Sequence, residues 1–388
     1  MIVLLDGARR PGAKILVAGG GRCNVTNRSV TADDFNSTSS HVIRRVLAAL
    51  PVEQTVVFFR EIGVTLREEE DGKLFPDTNR AGTVLDALLG AVAKSGVRLL
   101  AGHRVSDVEC CENGFRLSAG ESCVVARCVL LATGGMSLPK TGSDGTGFKF
   151  ARRLGHSLVE PVPALAPLVL DGDFHRGLSG ISHDVELTVR VEGNRSFRMR
   201  GPMLWTHFGA SGPVILDASR HWHRARAEGL TVYLSVNFRP GEDFAAVEHG
   251  LLEMIAARPK VLLQNALADW FPDRFVQAVL AHLGIEGRTP LAHLARDGRR
   301  RLLNALLDWS LPVLGSRGFA HAEVTAGGVP LTEVDSATLM SRRCPGLFLA
   351  GEILDVDGRI GGFNFQWAWS SAFVAAAGIA RWFERAVG

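Results

Sequence analysis

A chain of 388 residues exceeds what one compact core organises, so two or three lobes are expected. Hydrophobic residues at 46% and charged residues at 21% exclude extensive disorder. A formal net charge of +3 gives no concentrated basic field, so neither nucleic acid nor an anionic membrane surface is an expected partner. The six cysteines, at 23, 110, 111, 123, 128 and 344, form no CxxC pair and no Cys/His set at zinc spacing; no metal is expected, and a reduced, cytoplasmic chain is the simplest reading. No apolar run approaches the roughly 18 residues that span a bilayer.

In chain order, residues 2–6 (Ile2-Val3-Leu4-Leu5-Asp6) read as a buried parallel strand ending in an acid. Helical spacing of apolar residues over 42–50 and 84–92 alternates with strand-like runs at 97–100 and 128–132, the pattern of an α/β layer. After Pro161, Pro163 and Pro167 the pattern changes to an antiparallel hairpin, 185–191 and 197–200 around Gly193-Asn194. Short helices follow at 244–256, 261–270, 275–283 and 300–309. Strand and glycine signals then return, with a strand at 347–350 and a long helix at 364–383, so the α/β lobe is expected to be discontinuous.

Three glycine-bearing segments carry chemistry. In 12–27 the run Gly19-Gly20-Gly21 lets a backbone pass close to a ligand, with its amides free to face phosphate oxygens. In 132–147 the pair Gly134-Gly135, preceded by Thr133, follows a strand, where α/β sheets collect ligands. In 344–368 a buried strand delivers Gly351 and Glu352, then Gly361-Gly362 opens a helix whose amino end suits the negative edge of a reduced flavin. Asp6, a strand-end acid, suits an adenosine ribose.

These residues, with 206–213 and 324–329, resemble the BaiN-like, also called aminoacetone-oxidase-like, family of FAD-binding, NAD(P)/FAD-dependent oxidoreductases, over essentially the whole chain. The resemblance implies a Rossmann-like FAD lobe, a β-barrel-like insert and a small helical subdomain. The expected division is 1–162 for the first part of the FAD lobe, 163–242 for the antiparallel insert and 243–318 for the helical subdomain. Residues 319–388 are expected to return to the insert and the FAD lobe. Members of the family start with a strand and a GxGxxG loop, whereas this chain starts at the following strand, so the first strand and helix of the lobe are expected to be missing. Two explanations stay open: a misplaced start within a longer gene, or a truncated protein that binds FAD poorly.

The cofactor-binding residues expected are Asp6, Lys14, Gly19, Gly20, Gly21, Arg22, Cys23, Asn24, Thr133, Gly134, Gly135, Gly351, Glu352, Asp355, Gly361, Gly362, Asn364 and Gln366. His207 is the candidate proton donor, set against a structural histidine beside a helix start. The function expected is hydride transfer at flavin N5 on a small-molecule substrate, by amine oxidation or by enone reduction with NAD(P)H as a transient reductant. The competing readings are a flavin-binding module without turnover and a flavoprotein acting on nucleic acid.

Overall fold

The computed structural model describes residues 1–387, and the chain divides into two compact units, Met1–Ala164 with Phe319–Gly388, and Leu165–Gly318. Among the described residues no helix is long and apolar enough to cross a membrane.

The first unit contains two short parallel pairs. Val3–Asp6 lies beside Arg98–Ala101, and Val129–Leu131 lies beside Leu347–Leu349. Both opening strands were legible as apolar β-branched runs, and the parallel pairing agrees with the α/β reading. Burial differs from expectation at the first strand. Val3–Asp6 has a strand partner on one edge only among the described residues, and Leu4 is 42% exposed. An antiparallel meander, Asp107–Cys111, Gly114–Ala119 and Ser122–Ala126, adds a layer that the sequence pattern did not announce. The helix Phe363–Val387 carries Phe363, Trp367 and Val374 into a core shared with Phe35, Phe148, Leu347 and Leu349.

The return segment does not re-enter the inserted unit, as the sequence reading had it. Val324–Gly328 pairs antiparallel with Val159–Ala164, and both strands belong to the first unit.

The second unit is built on a seven-stranded antiparallel sheet around the hairpin Ser182–Val191 and Arg195–Thr206. Its two edge strands, Trp309–Leu311 and Val313–Ser316, are separated in sequence by Pro312 alone. The edges are therefore joined covalently and the sheet curls into a barrel-like form, with proline at the seam, where no N–H is available for a ladder bond. The segments after 243 do not stand apart. The helices Phe244–Ala257, Leu263–Leu267, Asp273–His282 and Arg296–Leu307 bury Leu251, Leu263, Phe275 and Leu303 in the same core as Val185, Leu187, Met203 and Trp205. Their apolar stripes have one sheet to cover, which merges the expected insert and helical subdomain.

Burial on this scale reaches polar groups. His183 is buried against Phe275 at 4.4 Å and Phe238 at 5.5 Å between ring centroids, its Nε2 has no hydrogen-bond partner, and burial pushes its imidazole down to about 4. His221, stacked on Phe197 at 3.8 Å, is pushed down to about 3 by burial and by the neighbouring Arg220 charge. Because these folded values lie below the unfolded value of about 6.5, the unfolded chain takes up protons first as pH falls. Stability is thus lost progressively below about pH 6.5, until the folded groups titrate. His183→Leu should flatten this slope, leaving a variant about 1–2 kcal/mol less acid-sensitive between pH 7 and pH 5. Denaturant midpoints measured at both pH values test it, and an unchanged pH difference in the variant would remove His183 as the cause.

Candidate functional site

Four of the signature segments converge on one carboxylate. Glu352 follows the strand Leu347–Leu349, in the short turn Gly351–Ile353. Its Oε2 accepts from Lys14 Nζ at 2.6 Å, and its Oε1 accepts from Ser137 Oγ at 3.0 Å and from the Thr325 amide at 2.8 Å. Lys14 Nζ also donates to Ser137 Oγ at 2.6 Å. Thr325 Oγ1 in turn accepts the amides of Met136 and Ser137, at 2.8 and 3.1 Å. Gly135 lies against this knot, where an added Cβ would stand 2.4 Å from Thr325 Oγ1 and 2.9 Å from Glu352 Oε1. The glycine pair after the Val129–Leu131 strand is therefore needed first for packing.

A second knot joins the carboxyl-terminal helix to the segment after the glycine run. Gln366 is buried; its Oε1 accepts from Thr26 Oγ1 at 2.7 Å, and its amide nitrogen lies within 3.0 Å of Leu50 O, Thr55 Oγ1 and Ser370 Oγ. Gln366 thus has its side-chain oxygen and nitrogen engaged inside the protein. Asn364 closes its own turn, accepting from the Gly358 amide and donating to the Gly358 carbonyl, each at 2.8 Å. Gly362 has φ 98°, and a Cβ there would stand 2.5 Å from the Thr26 carbonyl carbon, so close backbone approach at this position is to Thr26. Asn27 Nδ2 donates to Gly361 O at 3.1 Å and completes the joint.

The remaining expected residues fall into two groups. Arg22 is partly exposed and paired, and Cys23 is enclosed. The Arg22 guanidinium pairs with Glu69 at 3.0 Å and lies over the Phe75 ring, while Cys23 is fully buried and its thiol is pushed up to about 12 by burial. Asp355 is also buried, its amide donating to Val329 O at 2.8 Å. Asp6 Oδ1 accepts the Ala8 amide at 2.7 Å. Thr133 and Gly134 occupy the turn after their strand, with Thr133 packed onto Gly147, where a Cβ would collide with it.

Other positions stay open. Gly20 and Gly351 have φ 68° and 75°, and nothing lies within 4 Å of where a Cβ would be; Gly19 and Gly21 complete the left-handed run. Asn24 is buried with an Oδ1 that finds no partner.

His207 belongs to the second unit. It is exposed in the tight turn between Arg195–Thr206 and Gly209–Ser211, edge-on to Phe208 at 5.1 Å. The joints that sequence reasoning passed over are Ser137 and Thr325. Both lie in quoted segments, but single hydroxyls carry no spacing that distinguishes them. A Ser-His-Glu array, Ser341 Oγ and Glu333 Oε2 each 2.8 Å from a nitrogen of His156, also escaped notice. It is closed to solvent, and Ser341 Oγ accepts the amides of Arg343 and Cys344 as well, so it holds a turn in place.

Comparison with known proteins places this geometry in context. A family model described as HI0933-like protein Rossmann domain matches residues 1–378. The ribosomal RNA dihydrouridine synthase of Escherichia coli (strain K12) is 33% identical over 97% of this chain and 91% of its own length. The 3-dehydro-bile acid delta(4,6)-reductase of Clostridium scindens is 30% identical over 98% of this chain and 92% of its own length. Among solved structures, the E. coli quinol fumarate reductase FrdA matches with a TM-score of 0.46 and 16% identity, covering 98% of this chain, which spans 65% of that one.

The Lys14–Glu352 pair is half-buried, so its worth lies between that of an exposed and a buried ion pair. Lys14→Met and Glu352→Gln should each destabilise the first unit by about 1–2 kcal/mol, and the double variant by clearly less than their sum. A double-mutant cycle by denaturant unfolding measures the coupling; additive losses would mean the pair is not a joint.

Proposed function

The chain belongs to the HI0933-like Rossmann family of FAD-dependent oxidoreductases, and from that premise we propose that it is a reductase of a carbon–carbon double bond conjugated to a carbonyl, with FAD as its cofactor and NAD(P)H as reductant. The observation that carries this reading is that relatives matched over nearly the whole chain bear names for one kind of chemistry. Dihydrouridine differs from uridine by hydrogenation of a ring double bond conjugated to a carbonyl, and a delta(4,6)-reductase of a 3-dehydro-bile acid acts on ring double bonds conjugated to the 3-oxo group.

The residues present fit such a cofactor at specific points. Left-handed Gly20 and Gly351 expose backbone with open space where side chains would stand, which suits close approach of a polar ligand. Asn24 Oδ1, buried without a partner, is an acceptor held ready for a donor, since buried polar atoms ordinarily find one. Asp6, with Oδ1 on the Ala8 amide, retains Oδ2 for a ribose hydroxyl. Bound FAD supplies hydride transfer between nicotinamide and substrate. The chain's own share is positional: the Lys14–Glu352–Ser137–Thr325 knot fixes the turns bearing Gly135 and Gly351, and the Gln366–Thr26 knot fixes the start of the carboxyl-terminal helix beside the segment bearing Asn24. The first substrate reading is a free small molecule. A ring borne on RNA is the second, favoured by the names of two relatives at 33% and 31% identity.

The test combines protein reconstituted with FAD, NADPH or NADH under anaerobic conditions, and two substrates, a 4-en-3-one steroid and a uridine-containing ribosomal RNA transcript. A product two hydrogens heavier from either identifies the class and its carrier. Reduction of neither substrate by FAD-loaded protein supplied with NADPH or NADH overturns the reading. Asn24→Ala should weaken flavin affinity roughly tenfold with little change in unfolding midpoint. Equal affinity in variant and parent would show that the orphaned oxygen serves no ligand.

A further inference from the structure

Two cysteines far apart in sequence meet in the first unit. Cys110, next to last in the meander strand Asp107–Cys111, is exposed, and its Sγ lies 3.4 Å from that of Cys344, which is buried. Cys111, Cys123 and Cys128 have no such sulfur partner among the described residues. Cys344 is held still by a network of its own. Its amide donates to Ser341 Oγ at 2.8 Å, its carbonyl accepts from Leu347 at 3.1 Å, and Ser341 is anchored by His156.

We propose that Cys110 and Cys344 form a reversible disulfide, an oxidation-responsive staple between the surface meander and the turn that leads into the strand Leu347–Leu349. The sulfurs are in non-bonded contact, and forming the ~2.05 Å bond of a disulfide requires them to close by a little over 1 Å, a movement that exposed Cys110 is free to make. The roles of the two sulfurs follow from their surroundings. Burial, and then its contact with Cys110, pushes the Cys344 thiol up to about 12, so it stays protonated at rest and is the poorer target for an oxidant in solution. Cys110 is the sulfur that an oxidant in solution reaches first.

With hydrogen peroxide as oxidant, the Cys110 sulfur attacks one peroxide oxygen, the O–O bond breaks, and one water leaves, giving a sulfenic acid at Cys110. The Cys344 sulfur then attacks the Cys110 sulfur, the S–OH bond breaks, and the departing hydroxide takes the Cys344 proton as a second water. Two thiols lose two protons and two electrons, and one peroxide becomes two waters. A small thiol in excess reverses the bond by exchange. Because the link joins positions 234 residues apart, it restricts the unfolded chain strongly. It also ties the meander to the strand that delivers Glu352 to its knot.

Full-length protein treated with hydrogen peroxide and then blocked for free thiols should lose two of its six thiols. Peptide mass spectrometry should find the peptide containing Cys110 joined to the one containing Cys344, and dithiothreitol should restore both. The oxidised form should unfold several degrees higher. Cys110→Ser, at an exposed position that tolerates the change, should abolish both the link and the shift, whereas Cys111→Ser should retain them. Cys110 found as sulfinic or sulfonic acid, or joined to Cys111, Cys123 or Cys128 in place of Cys344, overturns the proposal.

Discussion

The first unit hangs on one carboxylate in a half-buried setting. Glu352 carries a charge that burial penalises, and it is kept there by Lys14, by the Ser137 hydroxyl and by the Thr325 amide. Each donor comes from a different part of the chain, so satisfying one charge brings four segments together. Gly135 is small because Thr325 and Glu352 occupy the space a side chain would take. The turn that bears Gly351 is thus tied to the place where this ion pair is solvated by protein.

A neutral knot does the same work at the helix Phe363–Val387. Gln366 has donor and acceptor capacity in one side chain, and it meets Thr26, Thr55, Leu50 and Ser370 without leaving an orphan. In sequence between Lys14 and Thr26 stands Asn24, whose oxygen is buried and unsatisfied. The contrast is between side chains whose hydrogen-bonding groups are met inside the protein and one whose oxygen is not.

The second unit follows a different rule. Its sheet closes through Pro312, and helices and strands share one core rich in aromatic rings. Imidazoles enclosed by that core are held neutral, which makes the unit's stability a function of acidity. His207, by contrast, stands exposed at a turn of this unit.

The sequence by itself determined the family, the alternation of strands and helices in the first unit, the hairpin of the second and the helix beginning near Phe363, because periodicity, glycine placement and turn residues are local properties. It also marked the segments whose side chains form the two knots. Boundaries slipped where local pattern competed with packing: the helix expected over 261–270 is confined to Leu263–Leu267, and Trp309, expected in a helix, begins an edge strand. Only the tertiary structure decided the partners. Lys14 and Glu352 lie 338 residues apart, Thr26 and Gln366 340, and Cys110 and Cys344 234, and no spacing rule reaches over such distances. Whether a glycine makes room for a ligand or for the protein's own backbone depends on what stands opposite it. At Gly20 and Gly351 that is open space, and at Gly362 it is Thr26.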